Sequence, residues 1–456
     1  MKTLIFFDDW FLDSKVDIMR RFPQANLVKI FENCFWGRCS ILWDDKNKCF
    51  AMIGKRREEE ITSLYVSENG IDWEKKADKL KFVFKKTKKL LNLPGKFPFE
   101  QTWFYDKWDK NSNRRYKIFC FPYGLEKGPG LISYSSDRIN WIIDENFKVY
   151  THQKGSDTNN NMFFNPFTQH WCIICRKWNA DRRIAMVESW DLEHWTEPRV
   201  IIHPDPLDES LLQFYGMPVI LYRDEYFIGL LQCYYVSTEE INEDYTGRVK
   251  MQGKVNAQLV YSYDGELWIR SDRSTIIPNT ELGDYGGSGI YPHSIVVPPN
   301  GNNIFIYSLG TLQNHSLGSL VPGGYPSGES LILHTLRKDG FVYLEPAGGW
   351  GQFTTRVIVL NSEKITLNYK APFGKILVQI TDIYRKPLPD YSFYKCIPLK
   401  GDEIDGKVCW KKKKDLSGLI GKPIRLEIRL FESRLYAIHG DFSFWYTNTP
   451  KPINRI

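Results

Sequence analysis

Asp157 is the carboxylate best placed for chemistry in this 456-residue chain. It stands in "GSDTNNNMFF", beside Asn159, Asn160 and Asn161 and just ahead of an apolar, strand-like run. An acid that donates a proton, set against a carboxylate that stays ionised, is the pairing that cleaves a glycosidic bond, and neighbouring amides suit the recognition of hydroxyls. A capped loop turn is the structural alternative. Partners for such an acid stand in "HPDPLDESLLQFYGMP", where Asp205, Asp208 and Glu209 precede another apolar run. Asp208 and Glu209 are the candidates there, against the alternative of a solvated acidic loop. Asp9, in "FFDDWF", is a further catalytic candidate. A carboxylate on an apolar strand is costly to bury unless it is paired or used. A salt bridge to Arg20 or Arg21 would also satisfy it.

Other polar residues fit substrate binding. Tyr215, in "FYGMPV", could bond a sugar or act as a nucleophile beside a base. His293, in "GSGIYPHSIVV", and His315, in "GTLQNHSLG", could bind substrate or shuttle protons. Arg38 and Arg176 could meet a carboxylate or phosphate. Trp36, Trp103 and Trp178 offer flat faces for sugar rings, although core packing is the commoner fate of Trp. Cys172 and Cys175 have C-x-x-C spacing, but their stretch alternates like a strand and no second pair follows at zinc spacing. A buried thiol pair is the expectation, with no metal site and no organic cofactor.

The elements that hold these residues repeat. Ser67, Asn69 and Trp73 recur as Ser135, Asp137 and Trp141, as Ser189, Asp191 and Trp195, and as Ser262, Asp264 and Trp268. Trp follows Ser by six residues each time, and the gaps between successive Trp are 68, 54 and 73 residues. "LHTLRKDGFVYL", with Asp339 and Gly340, is a degenerate fifth copy. Each turn is preceded by a hairpin and one further strand. Five such units read as a propeller of small sheets. Ser and Asp would bond backbone amides to hold the turn, and Trp would pack between sheets. The recurring Asp residues are therefore peripheral and structural. Ligand chemistry belongs to the axis, where the first strand of each unit begins. A short helix before Pro94, in "ADKLKFVFKKTKKLLNLPG", is the one helical expectation. Beyond about residue 345 the repeat stops and clean alternation begins. Ile424, Leu426, Ile428 and Leu430 fall on one strand face and Arg425, Glu427 and Arg429 on the other. The reading is an all-β chain: a five-bladed β-propeller over 1–345, then a β-sandwich over 350–456.

Composition agrees. Aromatic residues make up 15% of the chain, which favours strands. The net charge of +7 is modest, and the lysine runs lack the long basic stripe of a nucleic-acid face. No apolar run approaches the ~20 residues of a membrane-spanning helix. Scattered thiols and a short N-terminal apolar run point to a cytoplasmic protein.

The order of elements resembles the family 32 glycoside hydrolases and, more distantly, families 43 and 62. It is most similar to an uncharacterised bacterial branch of that superfamily. The likeness rests on "FFDDWF", "DTNNNMFFNP", "FYGMPV" and "LRKDGF", and in the sandwich on "TDIYRKPLPDY" and "LIGKPIRLEIRL". The turns themselves resemble the Asp-box of sialidases. The resemblance implies hydrolysis of a glycoside, often a furanoside such as a fructoside or arabinofuranoside, by three acidic residues around the central funnel. The chain departs from the family: "NDPNG", "RDP" and "EC" are absent, and Tyr215 stands where an acid is expected. A non-catalytic carbohydrate-binding propeller and a sialidase-like hydrolase are the competing readings. The sialidase reading needs three converging arginines and a Tyr–Glu pair. For a hydrolase, carboxyls about 5–5.5 Å apart would mean retention and about 6.5–9.5 Å inversion.

Overall fold

The computed structural model describes residues 2–32, 34–35, 39–56, 58–59, 62–90, 99–121, 129–150, 160–178, 181–243, 249–270, 272–315, 328–413 and 415–445. The chain forms two compact units. One contains Gln24–Tyr222 and Tyr226–Leu336, the other Met1–Pro23, Arg223–Glu225 and Arg337–Ile456.

The first unit is the propeller. Blade I is Ser40–Asp44, Cys49–Gly54, Ser63–Ser67 and Glu74–Ala77. Blade II is Phe99–Tyr105, Tyr116–Phe121, Gly130–Ser135 and Asn140–Val149, with Lys81–Phe84 added parallel at its edge. Blade III is Asn161–Asn165, His170–Trp178, Arg182–Ser189 and Arg199–Ile202. Blade IV begins with the short segments Leu212–Phe214 and Val219–Tyr222, which share the partner Tyr226–Glu243, and continues through Val249–Ser262 to Thr275–Ile277. Blade V is Gly289–Val296, Asn303–Thr311 and Glu329–Arg337, and its outer strand, Asn26–Ile30, comes from near the chain start. A single parallel pairing, Val255 with Gly289, joins blades IV and V into one sheet.

Polar side chains stitch successive blades into a closed ring near the axis. Ser294 Oγ of blade V accepts from the Ile41 amide, and Ser40 Oγ of blade I accepts from the Trp103 amide. Thr102 Oγ1 of blade II donates to the Asn160 carbonyl, and Asn161 Oδ1 of blade III accepts from the Val219 amide. Gln232 Nε2 of blade IV then donates to the Pro292 carbonyl of blade V, completing the ring. All five of these side chains are buried. Each satisfies a group that would be costly to leave unpaired inside.

The repeated turns lie between the third and fourth strands. In blades II, III and IV the Ser Oγ accepts from the residue three on, and Asp Oδ1 accepts from the next two amides. Asn69 serves the same purpose in blade I. The residue after the Asp or Asn takes a left-handed conformation in all four, with φ of 75°, 72°, 71° and 79° at Gly70, Arg138, Leu192 and Gly265. The four Trp rings pack against clusters shared with the preceding blade. Peripheral, structural roles for Asn69, Asp137, Asp191 and Asp264 follow.

Two expectations need correction. Residues 74–90 hold no helix: Glu74–Ala77 and Lys81–Phe84 are strands, because Phe82 is buried against the Trp141 ring, 5.9 Å away. The N-terminal segment belongs to the second unit and not to the propeller. Lys2–Ile5 pairs with Ala437–Gly440, and Leu12–Val16 with Gln352–Thr355, so Leu4, Ile5, Phe6 and Phe7 become core of that unit.

That second unit is a β-sandwich built on the bent strand Ile358–Thr381. Its first half pairs with Arg434–Phe444, and its second half pairs with Pro423–Phe431, with Lys375 opposite Phe431 and Thr381 opposite Arg425. Ile424, Leu426, Ile428 and Leu430 are buried as expected. The opposite face is also covered: Glu427 accepts from Gln379 Nε2 at 2.9 Å, and Arg429 lies 4.1 Å from the Phe393 ring centroid.

Candidate functional site

Strands alternate in direction within a blade, so the Ser-x-Asp turns share one end of the propeller with the first-to-second-strand hairpins. That end carries structural groups. Asp44, Asp106 and Asn165 cap their hairpins by accepting backbone amides. Asp44 pairs with Arg138 of blade II, and the buried Lys117 bonds both Asp106 and Asp109, at 2.9 and 2.7 Å. The opposite end carries the second-to-third-strand hairpins and the connections between blades.

At that opposite end blades III, IV and V supply a cluster of cations and rings. Tyr215 follows Leu212–Phe214, its amide fixed by the Gln232 carbonyl at 2.8 Å. Its ring meets Tyr291 edge-on at 5.2 Å and His315 at 4.9 Å. Tyr234 lies 5.0 Å from His315 and is wholly buried. The His315 amide donates to the Gly253 carbonyl, whose residue allows close approach: a Cβ there would come within 2.1 Å of the Tyr235 carbonyl oxygen. Arg176 is buried, with its guanidinium 4.8 Å from the Tyr215 centroid. Arg182 lies 5.9 Å from the Tyr215 centroid and 5.2 Å from that of Tyr234, and donates to Gln213 Oε1 at 2.7 Å. Burial and the neighbouring Arg176 charge both lower Arg182 from its usual value. Rings that accept cations on their faces and offer hydroxyls at their edges suit a polar, cyclic ligand.

Three residues singled out in the sequence, Tyr215, His315 and Arg176, thus come together. His293 is on the innermost strand of blade V, its Nδ1 3.0 Å from Ser294 Oγ, two residues from Tyr291. Asp157, Asn159, Trp36 and Arg38 lie outside the described residues. Asp208 is a fixed ion pair. Arg270 grips its carboxylate with two bonds of 2.7 Å, and Arg273 adds a third at 2.9 Å. Burial pushes Asp208 up, but the bonds and charges of the arginines hold it below its ordinary value. A carboxylate so held is a poor proton donor. Glu209 is solvent-exposed beside it. Asp9 lies in the sandwich unit, half-exposed on a turn, bonded to Lys15 and Arg20. Trp103 is core, its indole donating to the Ser40 carbonyl. Cys172 and Cys175 are buried but face opposite core clusters, since residues three apart on a strand point to opposite sides. Burial pushes the Cys175 thiol up to about 12. Among the described residues no group of three His, Cys, Asp or Glu could hold a metal ion.

Arg182, Tyr234, Tyr291 and Gln213 were missed in the sequence. Aromatic residues in strand-like runs read as core, and Arg182 stands in the same "CRKWNADRR" stretch that drew attention to Arg176.

The fold defines a class: a five-bladed propeller with a β-sandwich in the same chain. Comparison with known proteins adds neighbours at low identity. No family model matches the chain, and no curated sequence does. Among solved structures it is similar to a thermostable family-43 glycoside hydrolase, with 13% identity and a TM-score of 0.46 over 70% of this chain and 95% of that one. It is also similar to an N-acetylgalactosamine deacetylase from F. plautii, with 11% identity and a TM-score of 0.45 over 71% of this chain and 96% of that one. A fructofuranosidase from Schwanniomyces occidentalis shows 10% identity and a TM-score of 0.39 over 91% of this chain and 97% of that one.

Proposed function

We propose that this chain is a glycoside hydrolase that takes a small oligosaccharide or glycoside at the propeller end opposite the Ser-x-Asp turns. The observation that carries the reading is the meeting of Tyr215, His315 and Arg176, from three blades, in one aromatic and cationic cluster at that end. Asp157, four residues before blade III's innermost strand, is our candidate for one member of the acid–base pair. Asn159 and His293 are our candidates for hydroxyl recognition. Fructosides and arabinofuranosides are the first substrates to test, because the sequence resembles furanosidases. A screen of chromogenic furanosides and pyranosides should find one that the wild type cleaves. Asp157→Asn should lower its kcat about a thousand-fold. Full activity in that variant would remove Asp157 from the site.

A second reading, a carbohydrate-binding propeller without catalysis, is favoured by the ion-paired state of Asp208. It predicts sugar binding by calorimetry with no turnover of any glycoside in the screen.

A further inference from the structure

We propose that Trp190, with the His194 and His170 rings beside it, forms a second, non-catalytic platform for a neutral glycan at the propeller end that carries the Ser-x-Asp turns. Trp190 is the middle residue of the Ser189, Trp190, Asp191 turn of blade III, and it is 61% exposed. The turn itself does not call for an indole there. Blades I and II hold the same turn with Glu68 and Ser136 at this position, both exposed. In blade IV the matching Tyr263 packs its ring against Tyr226, 5.8 Å away. Trp190 instead leaves in water a ring whose burial would stabilise the fold. Two imidazoles extend it. His194 is nearly parallel to the indole, at 11° with 6.3 Å between centroids, and its Nδ1 is fixed 2.6 Å from Asp191 Oδ2. His170, which begins the strand His170–Trp178, has its centroid 6.5 Å from that of Trp190.

The groups around these rings select the ligand. His170 Nδ1 stands 3.7 Å from Glu188 Oε1. Arg199 Nη2 donates to Glu188 at 3.3 Å and to Glu266, from the turn of blade IV, at 2.6 Å. His170 and Glu188 share the strand face that Cys172 packs toward blade IV, because residues two apart on a strand point the same way and Glu188 pairs with Cys172. Flat rings therefore border a rim of imidazole, carboxylate and guanidinium. A sugar matches that pattern: its C–H face lies on an aromatic ring, and the hydroxyls at its edge both donate and accept. An apolar protein surface would cover the same rings only by taking the rim charges out of water. An open surface accepts a unit within a chain, since both neighbouring units stay in solvent, so the fitting ligand is a glycan. The inference adds a site and does not depend on catalysis at the opposite end.

The test uses the full chain in native gels cast with soluble inulin, arabinan, xylan, galactan or β-glucan, run toward the cathode because the net charge is +7. At least one of these neutral polymers should retard the wild type, and the affinity should change little as salt rises from about 0.05 to 0.5 M. Trp190→Ala should weaken that affinity about ten-fold, and Trp190→Phe, which keeps a smaller flat ring, about three-fold. Tyr215→Ala, at the opposite end, should leave the affinity within about two-fold of wild type. Thermal melting confirms that each variant is folded, and truncating a side chain as exposed as Trp190 removes little packing. Retardation lost with Trp190, together with no cleavage of any glycoside in the screen, would sink the hydrolase and keep this inference. Retardation lost in Tyr215→Ala but kept in Trp190→Ala would do the opposite, placing the glycan in the cluster already described. Retardation by none of the polymers overturns the inference. So does a wild-type dimer that Trp190→Ala separates without loss of retardation, which would assign the platform to a second copy of this chain.

Discussion

Glu225 is a carboxylate placed where charge is disfavoured. It belongs to the sandwich unit and is 9% exposed. Both of its oxygens share one donor, the Thr3 amide, at 3.2 Å. Burial pushes its pKa up from 4.5 to about 7, and the Thr3 amide and the charges of Lys2 and Arg223 recover only part of the shift. Asp339, in the degenerate fifth turn, shows the contrary outcome. It is also buried, but Arg223 gives it two bonds of 2.6 and 2.9 Å, and His439 lies 3.0 Å away. Burial would raise it, yet these partners hold it well below the ordinary carboxylate range. The sign for Glu225 follows. At pH below 4.5 the carboxyl is neutral in both the folded and unfolded chains. As pH rises from 4.5 to about 7 the unfolded chain releases a proton that the folded chain keeps, so stability falls through that window. Glu225→Gln should therefore stabilise the protein at pH 8 by up to about 3 kcal/mol and make little difference at pH 4. Urea unfolding of both proteins at the two pH values checks this, and a gain of equal size at pH 4 would contradict it.

The Ser-x-Asp turns are the elements in which a local pattern and a tertiary contact coincide. Gly265 has φ of 79°, and a Cβ there would stand 2.7 Å from Asn165 Nδ2 and 3.0 Å from the Phe227 ring. Asn165 Nδ2 is also the donor that ties the turn to blade III, through the Asp264 carbonyl at 2.8 Å. Gly283 has φ of 98° with nothing near its missing Cβ, so it isolates the backbone cost. Gly283→Ala should cost about 1 kcal/mol from strain alone, and Gly265→Ala about 2–3 kcal/mol from strain and displaced packing. Thermal melts of the two variants provide the comparison, and equal losses would mean that the turn does not dock as described. These turns were legible in the sequence because the amides that the Ser and Asp side chains accept lie within five residues. The ring of Ser40, Thr102, Asn161, Gln232 and Ser294 was not, because each partner is a group on another blade. The site divides in the same way. Tyr215, His315 and Arg176 stood out as polar residues breaking a repeat, whereas Tyr234 and Tyr291 looked like ordinary strand aromatics. The lost helix has a similar cause: the stretch before Pro94 suggested a short helix, and packing of Phe82 on Trp141 chose a strand.

At the scale of the whole chain, one short segment from far away in the sequence completes the last blade of the propeller. Asn26–Ile30 completes blade V by pairing with Glu329–Arg337, some three hundred residues later in the sequence. Without it the third strand of blade V would be an open edge, with unpaired amides and carbonyls available to other chains. The pairing has a long loop to close, so we expect it to form late in folding. A covalent staple tests it directly. Asn26 and Thr335 are register partners across this antiparallel pair, and neither is fully buried. Directly opposed residues in such a pair have Cα separations of about 4.5–5.5 Å, within reach of a disulfide. Asn26→Cys with Thr335→Cys should oxidise to that bond in the folded protein, to be identified by mass spectrometry of the digested chain. Because the closed loop spans most of the propeller, the bond should add about 3–5 kcal/mol, less any native-state strain, and be reversed by reductant. The expected readout is a higher melting temperature for the oxidised form than for the reduced form of the same variant. Failure of the two thiols to join in the folded state would show that blade V is not closed by this strand. A bond that forms without raising the melting temperature would show that opening of this edge does not limit the stability of the ring.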